Sequence, residues 1–148
     1  MHILMTALLA LAGASKAPPP PCVPVFVTSV GEQGGLTDPS RDNQDTKKNL
    51  LSALYGKKAV CVVREREKAT IILQVLARER AQMSATAFGP GRDCIVRVKF
   101  IFGDFETEMM GSAMGGTLGT AWGKAAGKVA KQVEQWVIAN REKLDAQR

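Results

Sequence analysis

Glycine recurs at every fourth position between residues 111 and 127, and this spacing is the strongest hint of a site in the chain. The five residues are Gly111, Gly115, Gly119, Gly123 and Gly127. Closely spaced glycines serve in loops that cradle phosphate, in helices that pair within membranes, and in helices that pack closely on another backbone. The neighbouring residues decide among these three uses.

A phosphate-binding loop is excluded by the residues beside the glycines. Such a loop needs four residues between its glycines, followed by lysine and a hydroxyl side chain that holds magnesium. The stretch GTAWGKA (119–125) is one residue short, and Ala125 stands where the hydroxyl is required. No nucleotide or other cofactor is therefore predicted.

A membrane span is also disfavoured, because only fifteen uncharged residues separate Glu108 from Lys124, whereas a span needs about 20. On a helix, residues four apart form a stripe, so the glycines predict a small-residue groove for packing or for an interface. Trp122 and Trp136 belong to the same predicted surface. Because five glycines cost about 5 kcal/mol relative to alanine, residues 111–119 stay open between helix and loop.

Three lysines on other faces of the predicted helix offer a different use for this segment. They are Lys124, Lys128 and Lys131. Cationic side chains along one helix attract anionic surfaces, including phospholipid headgroups. Contact with a membrane surface is therefore the alternative to protein binding.

Residues that carry catalysis are scarce. The single histidine, His2, lies in an apolar N-terminal segment, so neither a nucleophile–histidine pair nor a histidine metal site is predicted in the folded part. Glu106 and Glu108 share one face of a predicted hairpin, where two such carboxylates usually face water. We predict no enzyme activity and no metal site.

The three cysteines are Cys22, Cys61 and Cys94. In an oxidising compartment, one pair would close and one thiol would remain. Cys61 and Cys94 both fall in predicted strands, so a Cys61–Cys94 disulfide is one alternative. Two buried thiols, each packed as a small apolar side chain, are the other.

The first residues resemble a targeting segment. Residues 1–14 contain a short apolar run that ends in Ala12-Gly13-Ala14, the small-x-small pattern cut by signal peptidase. Residues 15–22 include four consecutive prolines and suit an extended tether. Ala14 stands where a lipidated cysteine would be needed. We therefore predict a periplasmic or secreted protein without a lipid anchor.

Length and composition indicate one globular domain. The chain has 148 residues, is 45% hydrophobic and carries a net charge of +6. Its basic residues are scattered. In VRVKFIFG, strand alternation places Phe100 and Phe102 opposite Arg97 and Lys99, whereas stacking recognition of RNA needs aromatic and basic side chains on one face. Nucleic acid is therefore disfavoured as a partner.

The residue patterns predict an α+β fold: a small, mostly antiparallel sheet of four to five strands with two helices packed on it. A single domain is expected over residues 23–146. Gly103-Asp104 matches a two-residue hairpin turn with glycine first. The predicted strands cover residues 23–30, 59–63, 70–77, 94–102 and 105–109, and the predicted helices cover about 40–55 and 117–143. A helix over residues 65–80 is the alternative to the strand at 70–77.

The order VPVFVTSV, capped helix, KATIILQV, IVRVKFIF and closing amphipathic helix resembles small secreted bacterial α/β envelope proteins. In pattern it is also similar to periplasmic domains of the curli-export and penicillin-binding-protein-activator lipoproteins. The likeness covers about residues 23–140. It implies a non-enzymatic, envelope-associated interaction module whose partner is another envelope protein or a second copy. The alternative is binding of anionic surfaces or membranes through the glycine-rich, lysine-bearing segment.

Overall fold

The computed structural model describes residues 21–30, 41–82, 92–114 and 118–147. The predicted signal peptide, most of the predicted tether and Gly115 lie outside these ranges. A helix lies between the first two strands, whereas the last three strands follow one another and are followed by two helices. The elements, in chain order, are β1 (Val23–Ser29), α1 (Arg41–Tyr55), β2 (Val60–Val62), β3 (Ile71–Gln82), β4 (Arg92–Phe102), β5 (Phe105–Met114), α2 (Leu118–Ala139) and α3 (Arg141–Asp145).

The five strands form one sheet in the order β2-β1-β3-β4-β5. β1 is parallel to both β2 and β3, whereas the β3–β4 and β4–β5 pairs are antiparallel. The antiparallel ladders are the longer ones, so the sheet is mostly antiparallel. The predicted α+β class is confirmed.

Both long helices cover the same face of the sheet: α1 packs on β1, β2 and β3, and α2 packs on β4 and β5. Strand alternation sends every second side chain to this face. Phe100 and Phe102 point into the core and are buried, as predicted, while Arg97 and Lys99 lie on the opposite face. We call that opposite face, which carries no helix among the described residues, the open face.

The β4–β5 hairpin turns at Gly103-Asp104, between the paired residues Phe102 and Phe105. Gly103 has a φ of 56°, and no described non-glycine residue has a positive φ. Asp104 therefore has a negative φ, which agrees with the predicted type II′ turn, since a type I′ turn needs positive φ at both positions.

Element ends differ most from the predictions in three places. β3 continues to Gln82, beyond the predicted strand, and β5 continues to Met114. α2 ends at Ala139, and a separate short helix follows. The break falls at Asn140, whose side-chain amide donates to the carbonyl of Trp136 and so competes with the helical backbone.

Candidate interaction surfaces

The predicted lysines lie on the outer side of α2. Lys124, Lys128 and Lys131 are all exposed, and the opposite side of the helix buries Ala125 and Val129. Lys128 donates a hydrogen bond to the carbonyl of Ser112 in β5. Lys124 and Lys131 make no hydrogen bond or ion pair with another described residue. Two of the three cations are therefore available to an external anion.

The glycines divide between a strand and a helix and do not form one helical stripe. Gly111 lies in β5, while Gly119, Gly123 and Gly127 lie in α2. A Cβ atom added at Gly111 would lie 2.0 Å from the carbonyl oxygen of Ala125, but one added at Gly123 or Gly127 would meet nothing within 4 Å. The close approach of helix and sheet therefore depends on Gly111.

Trp122 is buried beneath a basic side chain that the sequence patterns did not reveal. The guanidinium carbon of Arg78 lies 4.7 Å from the Trp122 ring centroid, and Arg78 Nη2 lies 2.5 Å from Asp42 Oδ1. Arg78 reaches the helix side because the β3–β4 register shifts between Val75 and Ala77, which reverses the alternation of β3. This contact joins β3 to the starts of α1 and α2.

Trp136 forms an aromatic cluster beside the hairpin turn. Its ring centroid lies 4.6 Å from that of Phe100 and 5.3 Å from that of Phe102. Phe105 stacks on the Trp136 ring at 5.9 Å and stays 47% exposed. Both predicted tryptophans thus serve packing within the domain.

The predicted Cys61–Cys94 disulfide is wrong. Cys61 is joined to Cys22, with 5.4 Å between their Cα atoms, and Cys94 is a buried free thiol. Two strands, β1 and β3, separate β2 from β4, which alone puts Cys61 and Cys94 about 14 Å apart across the sheet, and the strand registers offset them further along the strands. Cys22 instead precedes Pro24, the β1 residue that pairs with Cys61. The correct partner lay in the segment that the sequence patterns assigned to the tether.

The charged side chains of the open face are paired with one another. Lys99 Nζ lies 2.5 Å from a carboxylate oxygen of Glu106. Arg97 Nε lies 3.4 Å from Glu108 and 3.8 Å from Glu79. A phosphate backbone would have to displace these carboxylates to reach the two cations.

The β5 edge of the sheet is partly closed by α2. Gln132 donates to the carbonyl of Met110, and Lys128 donates to that of Ser112. Such contacts occupy backbone acceptors that would otherwise pair with another strand. Toward the hairpin turn, Glu106 and Glu108 receive no such contact from α2.

The β2 edge borders a groove of about 270 Å³ between α1 and the sheet, lined in part by Leu51, Tyr55, Val62 and Arg64. β2 has only three residues and pairs with the first half of β1. Neither edge surface was predicted from the sequence, because the hydrophobic periodicity of a single strand does not reveal the order of the strands in the sheet.

Two further properties concern the described residues. None of their helices is long and apolar enough to cross a bilayer. No group of three or more histidine, cysteine, aspartate or glutamate side chains is placed among them to hold a metal ion.

No protein-family model matches the sequence, and a search of characterised proteins also found no match. Solved structures with the same fold do exist. A PelC variant from Paraburkholderia phytofirmans, solved as a dodecamer, has a TM-score of 0.51 at 14% identity, covering 78% of this chain and 91% of its own. A DUF330 protein from Xanthomonas campestris has a TM-score of 0.51 at 12% identity, covering 88% and 93%.

A minor lipoprotein from Acinetobacter baumannii is a more distant neighbour, with a TM-score of 0.47 at 14% identity, covering 82% of this chain and 96% of its own. Two further neighbours with TM-scores below 0.5 are also named as bacterial lipoproteins. At these identities the likeness shows the fold alone. The likeness to the curli-export and penicillin-binding-protein-activator lipoproteins stays a prediction.

Proposed function

We propose that this chain is a non-enzymatic interaction module of the bacterial cell envelope, periplasmic or secreted. The observation that carries the proposal is the disulfide between Cys22 and Cys61. Disulfides persist in oxidising compartments and are rare in the cytosol. The apolar run of residues 1–14, with its small-x-small end, agrees with export.

A binding role is favoured over catalysis by the arrangement of the charged groups. On the open face the carboxylates of Glu79, Glu106 and Glu108 lie beside Arg97 or Lys99, so they stabilise the sheet surface. Cys94 is 1% exposed and cannot reach a substrate without local unfolding.

The proposed partner is a second copy of this chain or another envelope protein. The dodecamer formed by the PelC variant supports self-association by analogy of fold alone.

The test is the native protein's location, first residue and thiol count. We expect recovery from the envelope or medium, a chain that begins at Ser15, and, for alkylation in denaturant, one modified thiol without reductant but three with it. Recovery from the cytosol with three free thiols would overturn the proposal.

A second candidate function is binding to anionic membranes, favoured by Lys124 and Lys131 on α2, which pair with no residue in the described part of the chain. Flotation with vesicles containing phosphatidylglycerol would test it. Binding should weaken with added salt and be lost in Lys124→Glu/Lys131→Glu. A protein that stays unbound at low salt would eliminate this candidate.

A further inference from the structure

The two edges of the sheet carry opposite charge, and we infer that copies of this chain join head to tail through them. The β5 edge of one copy would pair with the β2 edge of the next and continue the sheet. This inference rests on the self-association proposed above and names the surfaces that perform it.

The free part of the β5 edge lies next to the hairpin turn. Because Met110 and Ser112 offer their carbonyls to α2 side chains, backbone alternation also points the peptide groups of Glu106 and Glu108 away from β4. No strand lies beyond β5 among the described residues. The available edge therefore contains the outward-facing backbone groups of Glu106 and Glu108, whereas the carbonyls of Met110 and Ser112 already accept hydrogen bonds from α2.

The β2 edge offers a strand segment of matching length. The Val23 amide donates to the Ala59 carbonyl, and the Val63 amide donates to the Val25 carbonyl. Alternation then places the peptide groups of Val60 and Val62 on the outer side of β2. No described strand covers this side.

Charge makes the two edges complementary. Lys58 and Arg64 flank β2, are exposed, and form no ion pair with a described residue. At the hairpin end of the β5 edge, Asp104, Glu106 and Glu108 supply three carboxylates, and the cations Lys99 and Arg97 pair with only two of them, Glu106 and Glu108. Opposite charges across an interface accelerate association and suppress wrong pairings.

The same charges oppose symmetric pairing of like edges. Two β5 edges related by a two-fold axis would place Glu106 of one copy beside Glu108 of the other, and like charges directly opposite are destabilising. Two β2 edges would similarly bring together the Lys58 and Arg64 side chains. The edge charges thus select unlike edges, which makes the interface heterologous.

A heterologous interface builds a closed ring or an open fibre, and soluble homo-oligomers are mostly closed. The strand registers place Thr107 of β5 level with Val27 of β1, whereas Cys61 of β2 is level with Pro24 of β1. The centres of the two edge segments are therefore three residues apart along the strand direction. Successive copies would therefore be shifted by about 10 Å along the strands for every ~24 Å across the five-stranded sheet. Tilting the strands by about 20° to the ring axis would compensate this shift. This tilt is smaller than the strand tilt in β-barrels.

Charge reversal at single edges tests the inference in the purified native protein. Glu106→Lys/Glu108→Lys reverses the β5 edge, and Lys58→Glu/Arg64→Glu reverses the β2 edge. By sedimentation velocity we expect the wild type to be an oligomer and each variant alone to be a monomer. An equimolar mixture of the two variants should regain the wild-type size, because every unlike-edge contact between them is again of opposite charge.

Two controls separate this result from general effects of charge and from misfolding. Lys124→Glu/Lys131→Glu changes net charge as much as the β2-edge variant does, and should leave the oligomer intact. Glu106→Gln/Glu108→Gln avoids new like-charge contacts with Lys99 and Arg97, and should weaken assembly without lowering the melting temperature by more than a few degrees.

The outcomes distinguish this inference from the proposed function. A monomeric wild type at all accessible concentrations would overturn both self-association and the edge assignment. A wild-type oligomer that both edge variants retain would overturn only the edge assignment. A mixture that stays monomeric while the wild type assembles would also overturn it.

Discussion

Gly111 marks the place where a single missing side chain permits the fold. A methyl group there would lie 2.0 Å from the Ala125 carbonyl oxygen and 3.1 Å from a Val129 methyl carbon. Backbone atoms of a packed helix cannot move aside as a flexible side chain does. The close packing expected from the glycine pattern is therefore located at the strand under the helix.

The first prediction follows for Gly111→Ala. Because α2 would have to shift off β5, we expect the free energy of unfolding to fall by about 1–3 kcal/mol, measured by urea denaturation. Gly56→Ala is the matched control, since its added Cβ would meet the nearest atom at an ordinary 3.6 Å. An unchanged urea midpoint for Gly111→Ala would show that the close approach is not what holds α2.

Arg78 illustrates a residue whose position could not be predicted from the chain pattern. Alternation from Ile71, Leu73 and Val75 would place Arg78 on the open face, but the bulge places it over Trp122. A bulge adds one residue without a distinctive sequence signature, so every assignment beyond it changes face. The side chain is only 16% exposed, which removes much of the water that would screen its contacts.

The second prediction concerns Arg78→Lys. Lysine keeps the charge but loses the planar group that stacks on Trp122 while reaching Asp42, so we expect a loss of about 1 kcal/mol. Urea denaturation followed by tryptophan fluorescence measures it. Asp42→Asn removes the ion pair and the first-turn charge of a 65% exposed carboxylate but leaves the stacking on Trp122, and it should cost less. Equal losses in both variants would contradict the contribution of stacking.

At the scale of elements, hydrophobic period indicated four strands and both long helices, but it left residues 65–80 open between strand and helix and did not give the lengths of the elements. The type II′ turn was predictable because Gly103-Asp104, with glycine first, directly follows the clearest alternating strand pattern in the chain. The end of β5 was not, since Gly111-Ser112-Ala113-Met114 has little strand propensity. This stretch is a strand because β4 pairs with it and α2 covers it, and both are tertiary effects.

The third prediction concerns α2 and its outward glycines. Because added methyl groups at Gly123 and Gly127 would meet nothing within 4 Å, alanine should only restrict the unfolded chain and improve helix propensity. We expect each change to raise the free energy of unfolding by up to about 1 kcal/mol, seen as a higher urea midpoint. Destabilisation would mean that another surface packs against these positions.

At the scale of the whole molecule, strand order decides which distant residues meet. The chain places β1 in the middle of the sheet, so its first residues lie beside β2, although 39 positions separate Cys22 from Cys61. The carbonyl of Pro21 also accepts a hydrogen bond from Arg141 near the other end of the chain. Hydrophobic periodicity and strand or helix propensity describe single segments of the chain, so they could not identify Cys22 as the disulfide partner of Cys61.

The fourth prediction tests this long-range closure. A bridge across 39 positions restricts the unfolded chain, so Cys22→Ala/Cys61→Ala should lower the free energy of unfolding by about 3–4 kcal/mol, measured by urea denaturation without reductant. Adding dithiothreitol to the wild type should have a comparable effect. It should leave the midpoint of the double variant unchanged, because Cys94 has no disulfide to lose. A wild type indifferent to reductant would mean that the bridge does not stabilise the domain.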